Sequence, residues 1–472
     1  MDAEKLKLLA DNKRLRLENA GLRARVAELE GQVKRLTGQV ETLAAALEKS
    51  QRAGKRQAAP FRKQRRAGEP KKPGRKPGDA HGQHAHRSVP KEIDETHDAP
   101  LPKSCPYCGS SQLEETHVAE QFQTEIPRRP IVRQFDVHVG HCAACGGRVQ
   151  GRHKRQTSDA LGAAAAQLGA DAHAALALCN KDLGLSHGKG AKLFRQLFGV
   201  TIARSTSVRS MLRTANQCQR AYEEIRQSVR GSPFVVPDET GWRVGGKIAW
   251  LHAFPAQAAT CYVIDPSRSH RPATELLGEN YAGVMIHDGW SPYDRFVEAR
   301  HQQCVAHLLR RCGELLETAT GPAVRFPRAV MSALKSALST RDRQAAGKIG
   351  RHGLATACGR VTQRMRKLVT PVKTDAANER LAAFLERHLH ELFTFLALPG
   401  VDATNWRGEQ AIRPAVVNRK VWGDNRTWRG ADAQAILMSV LRTCHQQHLD
   451  SLNYLSQTRR SPDNPPLLLP TR

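Results

Sequence analysis

Two stretches of this chain end an apolar run on an aspartate: Phe234-Val-Val-Pro-Asp238-Glu-Thr-Gly-Trp242 and Val284-Met-Ile-His-Asp288-Gly-Trp290. Each run is long enough for a buried strand, so each is expected to deliver a carboxylate at a strand's carboxyl end and then turn. Carboxylates on neighbouring strands suit a hard divalent cation such as Mg²⁺, which takes oxygen ligands and completes its shell with water and substrate phosphate. The chemistry that follows is metal-assisted phosphoryl transfer. One aspartate after a strand would read as a cap or a turn residue; the repetition points to a site.

The intervening sequence supplies elements that position the pair. Segments 247–254 and 260–265 read as two strands about a turn at Pro255, 272–278 as a helix, and 282–287 as the strand that delivers Asp288. Strand, hairpin, helix, strand is the order a ribonuclease-H-like α/β core requires, and it sets the two aspartates on adjacent strands. A third acidic residue is then expected from a later helix. The Arg-rich, helix-forming stretch 310–403 offers no carboxylate in a comparable setting, and Glu379 in Asn378-Glu-Arg380 is assigned to a solvated helix face. The segment Asn405-Trp-Arg-Gly-Glu409-Gln-Ala-Ile-Arg413-Pro414 does offer one. Arg413 lies one helical turn after Glu409, where a guanidinium would grip a phosphate, orient the carboxylate or form a plain ion pair. Cys304-Val-Ala-His307, followed by Arg310 and Arg311, is half a zinc site and reads as packing or hydrogen bonding.

Composition indicates what carries the phosphate. The chain holds 73 Lys+Arg against 45 Asp+Glu, a formal charge of +28. Between positions 51 and 78 eleven basic residues, among them Arg65, Arg66, Lys71, Lys72, Arg75 and Lys76, face Glu69 alone. That segment has too little apolar surface to offset its chain entropy. A flexible basic tract binds polyanions by releasing condensed counterions, and Pro73-Gly-Arg75-Lys76-Pro-Gly78 is built like a short minor-groove hook. A solvated linker is the other reading.

Leu8, Leu15, Leu22, Leu29, Leu36 and Leu43 recur every seventh residue, and Lys5, Asn12, Asn19, Val26, Val33 and Val40 precede them by three. Leucine at d with valine at a favours two parallel strands, and asparagine at a fixes register and dimeric state. The pairs Asp11 with Arg16, Glu18 with Arg23 and Arg25 with Glu30 are attractive across such a dimer. A homodimer or higher oligomer through this zipper is expected; a lone amphipathic helix packed on its own chain is the alternative.

Cys105-Pro-Tyr-Cys108-Gly109 and Cys142-Ala-Ala-Cys145-Gly146 have the spacing of two zinc knuckles. Four thiolates fill a tetrahedral Zn²⁺ shell and leave no open position, so this metal is structural; a redox pair is the alternative. Strands of a zinc ribbon are expected around Phe122 to Ile126 and Phe135 to Val139. From 157 to 229 the pattern is helical, with a recognition helix beginning near Ser205 that projects Arg204 and Arg209 toward DNA, or a bundle with no groove contact. Eleven cysteines and no apolar run approaching roughly eighteen residues suit a cytoplasmic, nucleoid-associated protein with no membrane partner.

The order of these motifs resembles the Asp, Asp, Glu transposases of the insertion-sequence-66 family. The resemblance rests on Pro237-Asp238-Glu-Thr, Asp288-Gly-Trp, Asn405, Glu409, Arg413, Pro414, Arg419, Lys420, Gly430-Ala431 and Ser439-Val440, and on the succession of zipper, basic linker and four-cysteine finger. It is weakest at the helix-turn-helix stretch and in the Pro-rich tail after Ser456. It implies a transposase with Asp238, Asp288 and Glu409 binding Mg²⁺ or Mn²⁺, cleaving terminal inverted repeats and transferring the freed strand to target DNA. Arg413, Arg419 and Lys420 would then face DNA, and small accessory proteins of the same element are implied partners. A transposase-derived DNA-binding regulator and a structure-specific nuclease are the alternatives; a mere binding module has no reason to retain buried anions, which are costly without a metal.

The expected fold is multidomain α+β: a parallel coiled coil over 1–50, a basic linker over 51–95, a zinc-finger domain over 96–155 and a helical DNA-binding region over 156–230. A ribonuclease-H-like core over 231–315 and 401–455 follows, interrupted by a helical insertion over 316–400, with a tail over 456–472.

Overall fold

The computed structural model describes residues 3–57, 89–124, 126, 129–162 and 167–469. The basic residues Arg65, Arg66, Lys71, Lys72, Arg75 and Lys76 lie outside the described residues. The chain divides into two compact units, residues 63–133 with 194–200, and residues 1–62, 134–193 and 201–472. In the smaller unit the described residues 89–133 form turns and no strand, so the strand expected from Phe122 to Ile126 is absent there.

In the larger unit α1 (Ala3–Gln57) is one continuous helix. Its heptad side chains Leu15, Leu22, Val26, Leu29, Val33 and Leu36 are each more than half exposed. A short antiparallel hairpin follows, β1 (Val139–His141) and β2 (Arg148–Gln150). The strand expected at Phe135 to Val139 thus begins where it was expected to end. The bond from Cys142 N to Gly147 O closes the knuckle and brings 139–141 opposite 148–150, while the Phe135 ring packs 5.4 Å from that of His153 instead.

Four helices come next, α2 (Ala170–Lys181), α3 (His187–Phe198), α4 (Arg204–Gln217) and α5 (Gln219–Arg230). Helix α5 buries Ala221, Ile225 and Val229, a stripe at intervals of four. The buried face of α4 mixes Ser207, Ser210 and Thr214 with Met211 and Ala215, and two of its hydroxyls are used: Ser210 Oγ lies 2.7 Å from His173 Nδ1 of α2, and Ser207 Oγ 2.9 Å from His187 Nδ1 of α3. Ser205 does not cap α4. The cap position is Ala203, which makes no side-chain bond.

The central sheet is built from β3 (Phe234–Val235), β4 (Asp238–Val244), β5 (Lys247–Pro255), β6 (Thr260–Asp265), β7 (Val284–His287) and β8 (Arg300–Gln303), with α6 (Arg271–Leu277) before β7. Strands β4, β5 and β6 form an antiparallel meander, and β3, β7 and β8 a parallel set. Pro237 has no N–H to offer the ladder, so β3 and β4 are one strand with a break. Val235 bridges Ala256, and Val236 N donates to Pro255 O at 2.8 Å, so this broken strand lies between β5 and β7. The order across the sheet is β6, β5, β4 with β3, β7, β8. Gly245 and Gly246, at φ 59° and 80°, make the tight turn from β4 to β5.

Asp238 therefore does not end a strand and turn, as the sequence suggested; it opens a strand of seven residues. Thr240, Trp242 and Val244 alternate inward and carry the hairpin on.

Two sets of helices pack on the sheet. Beyond β7 and β8 stand α7 (Val305–Thr318), α8 (Arg325–Ala345), α9 (Arg351–Val369), α10 (Ala376–Arg387) and α11 (Thr394–Ala397). They share a core with Val284 and Ile286 through Leu308, Val330, Met365 and Leu385. Against β4 to β6 lie α12 (Trp406–Trp422) and α13 (Trp428–Gln446), packing Ile412, Val416 and Met438 on Trp242, Leu251 and Tyr262. Helix α14 (Ser451–Arg460) ends the fold. Glu379 is not simply solvated. Its carboxylate accepts Lys373 N at 2.7 Å and so ties the preceding chain to the helix, while Asp375 caps α10 by accepting Ala377 N and Asn378 N, two of its orphan N–H groups.

Candidate active site

Asp238 lies half-buried at the break between β3 and β4. One carboxyl oxygen accepts the N–H of Glu239 at 2.9 Å. Burial lifts its carboxyl well above the usual range, and the charges of Glu239, Asp288 and Glu409 lift it further. Three carboxylates from three parts of the chain thus bear on Asp238.

Asp288 follows the last residue of β7. Its carboxylate accepts Trp290 N at 3.1 Å across the turn, which needs a positive φ at Gly289 (91°). Behind it Gly289 N donates to His287 Nδ1 at 3.2 Å, His287 Nε2 lies 3.0 Å from His301 Nδ1, and His301 Nε2 lies 3.0 Å from Phe296 O. The amide can only donate and the carbonyl only accept, so both tautomers follow: each ring carries its proton on Nε2. Burial holds His287 down at about 3, with His301 beside it adding to the effect, so this imidazole is neutral.

Glu409 stands in the first turn of α12, where the helix dipole favours a carboxylate. Gly408, just before it, lies against Asp238 and the Val236 carbonyl. His307 Nε2 of α7 is 3.9 Å from Glu409 Oε1. Burial, aided by Arg310, lowers the His307 imidazole against the pull of Asp288 and Glu409. Cys304 is a buried thiol, raised by that burial, that accepts Asn405 N at 3.4 Å. It ties the start of α7 to the start of α12, a hydrogen-bond role of the kind read for it from the sequence.

Sequence reasoning missed Glu239. Its side chain is only 5% exposed. Oε1 accepts Arg268 Nε at 3.1 Å and Nη2 at 2.9 Å, and Oε2 accepts the Tyr293 hydroxyl at 3.2 Å. Burial and the Asp288 charge raise this carboxyl, and Arg268 and Tyr293 oppose them. The signal was its place beside Asp238 in Pro-Asp-Glu-Thr, but nothing in the sequence pairs it with Arg268.

The other assigned residues are dispersed. Arg204, Arg209, Arg413 and Lys420 are exposed, and Arg419 lies over Gly241 and beside Asp424. Each cysteine knuckle, taken alone, repeats one frame. Gly109 N donates to Cys105 O and Gly146 N to Cys142 O, both at 2.8 Å, with the glycines at φ 76° and 66°. Backbone N–H groups within each knuckle lower the Cys105 and Cys142 thiols. Among the described residues no three His, Cys, Asp or Glu side chains are gathered as closely as metal ligands.

The sequence matches the family model described as "Transposase IS66 family" over residues 166–433, more than half of the chain. The chain belongs to the IS66 transposase family. The match takes in Asp238, Glu239, Arg268, Asp288 and Glu409 and leaves out α1 and both cysteine knuckles. No curated protein matches the sequence. Among the described residues of this IS66-family chain no helix is long and apolar enough to cross a membrane.

Proposed function

We propose that this transposase binds the terminal inverted repeats of its own insertion element, cleaves a DNA strand and joins the freed end to target DNA, using Asp238, Asp288 and Glu409 to hold Mg²⁺ or Mn²⁺. One contact supports the reading: Gly408, which precedes Glu409 in α12, lies against Asp238, and the charges of Asp288 and Glu409, from beyond β7 and from α12, both lift the Asp238 carboxyl. The donors are hard carboxylate oxygens whose mutual repulsion a divalent cation would relieve, so the residues fit such an ion. When bound, it would supply Lewis-acid stabilisation of the attacking and leaving oxygens of the phosphodiester.

The chain's own part is positioning. His287 fixes the turn that carries Asp288, Gly408 lets α12 approach Asp238, and Arg268 with Tyr293 keeps both oxygens of Glu239 occupied. The order β6, β5, β4 with β3, β7, β8 supports a ribonuclease-H-like core, with Asp238 on its central broken strand and Asp288 after the strand beside it. Zipper dimerisation through α1 and a structural Zn²⁺ on Cys105, Cys108, Cys142 and Cys145 belong to the same proposal, supported by the exposed heptad seam and by the repeated knuckle frame. DNA contacts by Arg204, Arg209, Arg413 and Lys420 are supported by their exposure, and that of Arg419 by the family resemblance alone.

The test is incubation of the full chain with duplex carrying the terminal repeat, with Mg²⁺ or Mn²⁺, beside Asp288→Asn. Nicking at the repeat end by the native chain alone, lowered about 100-fold or more in the variant, is expected. DNA binding by both chains with metal-dependent nicking by neither would replace this reading with that of a non-catalytic regulator.

A further inference from the structure

The loop that follows β6 places a cation beside the carboxylates. Arg268 spends Nε and one Nη2 hydrogen on Glu239 Oε1, and the rest of its fork has no protein acceptor among the described residues. Its Cζ lies 4.6 Å from the ring centre of Trp250 and 5.1 Å from that of Trp290. Two indoles therefore hold the guanidinium by cation–π contact, which uses none of its donors. Trp290 belongs to the Asp288 turn through its backbone N–H, and Glu239 adjoins Asp238 in the chain. The cation is thus anchored to both aspartate-bearing elements.

The two partners differ in exposure, with Arg268 at 48% and Glu239 at 5%. Pairing with Glu239 takes only part of the Arg268 surface, and burying the rest would cost desolvation of the guanidinium. Arg268 keeps half its side-chain surface in solvent, with part of a planar donor fork pre-aimed and unspent. Such a fork matches the oxygens of a phosphate.

We propose that Arg268 is a substrate-binding residue that grips the DNA backbone phosphate next to the bond to be cut, with Glu239 aiming it and Trp250 and Trp290 holding its plane. The proposal rests on the transposase reading for its substrate. It adds a DNA contact that none of the sequence motifs marks.

The experiment measures binding of a fluorescent duplex carrying the terminal repeat, in Ca²⁺ across a salt series, and nicking of the same duplex in Mg²⁺. It uses the native chain, Arg268→Gln, Arg268→Lys and the double variant Arg268→Gln with Glu239→Gln. Arg268→Gln should weaken binding about tenfold and lower the slope of log affinity against log salt by about one. Arg268→Lys, which keeps the charge, should keep the slope. The double variant should bind and nick as poorly as Arg268→Gln. Recovery in the double variant would mean that Arg268 only neutralises Glu239, and an unchanged affinity and salt slope in a folded Arg268→Gln would likewise overturn the proposal. The two readings fail separately: a native chain that never nicks, while Arg268→Gln still flattens the salt dependence, defeats the catalytic reading and leaves the phosphate contact standing.

Discussion

Gly408 meets Asp238 with no space for a side chain between them: a Cβ at position 408 would stand 2.9 Å from the Asp238 Cβ and 2.9 Å from the Val236 carbonyl oxygen. The helix that carries Glu409 thus packs on the broken strand at backbone distance, and this contact sets how far Glu409 sits from Asp238. Alanine here should push α12 outward. Helix propensity favours alanine by about 1 kcal/mol, whereas overpacking costs about 1–3 kcal/mol, so Gly408→Ala should lose little stability and at least about tenfold in nicking rate. Thermal unfolding with single-turnover nicking measures both, and a fully active Gly408→Ala would refute the contact.

His287→Phe removes the acceptor of the Gly289 amide and the donor to His301 while keeping an aromatic ring. A supporting residue of this kind is worth about 10- to 100-fold in activity. Because burial already holds His287 neutral, its imidazole titrates near about 3, and the variant should lower the nicking rate without moving its pH profile above pH 5 or its affinity for repeat DNA. A displaced pH profile would show that His287 takes part as an acid or base.

Lys181 gives a pH signature in the body of the fold. Its Nζ donates to Gln434 Oε1 at 2.5 Å and lies 5.2 Å from the centre of the Trp422 ring, and burial lowers its ammonium to about 7 from an ordinary 10.5. Between those values the unfolded chain binds a proton that the folded chain does not, so this residue makes stability rise with pH. Lys181→Met should abolish that component: native stability minus variant stability should be larger near pH 10 than near pH 7. Denaturant unfolding of both chains at the two pH values checks it, and an equal difference at both would contradict the assignment.

Leu22 and Leu29 are 62% and 52% exposed on α1. If that seam pairs two chains, lysine at both positions should turn a dimer into a monomer, read as mass by light scattering. A native chain that is already monomeric would remove the zipper from the proposal.

The knuckles predict one Zn²⁺ per chain, counted by elemental analysis after dialysis. Cys105→Ser should lose it, whereas the native chain should release one Zn²⁺ when its thiols are titrated. Zinc retained in full by the variant would leave the four-cysteine site without support.

Local patterning carried much of this architecture. The short apolar run in Thr-Cys-Tyr-Val-Ile-Asp marked β6 at its true bounds, 260–265, and the apolar run 284–287 marked the strand before Asp288, because a strand buried along its length reads as a continuous apolar run. Local patterning misled ahead of the second knuckle, where alternation at Phe135, Val137 and Val139 suggested a strand that the turn geometry of Cys142 to Gly147 placed further on. It also misled at Asp238, where an apolar run ending in an acid reads as a strand end although the chain continues in register with β5.

The sequence alone marked Asp238, Asp288 and Glu409 as candidates, several of the strands and helices, and the family, since these depend on residue type and on spacings of a few positions. Only the tertiary structure decided which charge each carboxylate feels. Glu239 is held by Arg268, twenty-nine positions away, and Gly408 meets Asp238 across a far longer separation. Such pairings depend on how sheet and helices pack, and electrostatic and steric energies follow distance in space, which no local period encodes.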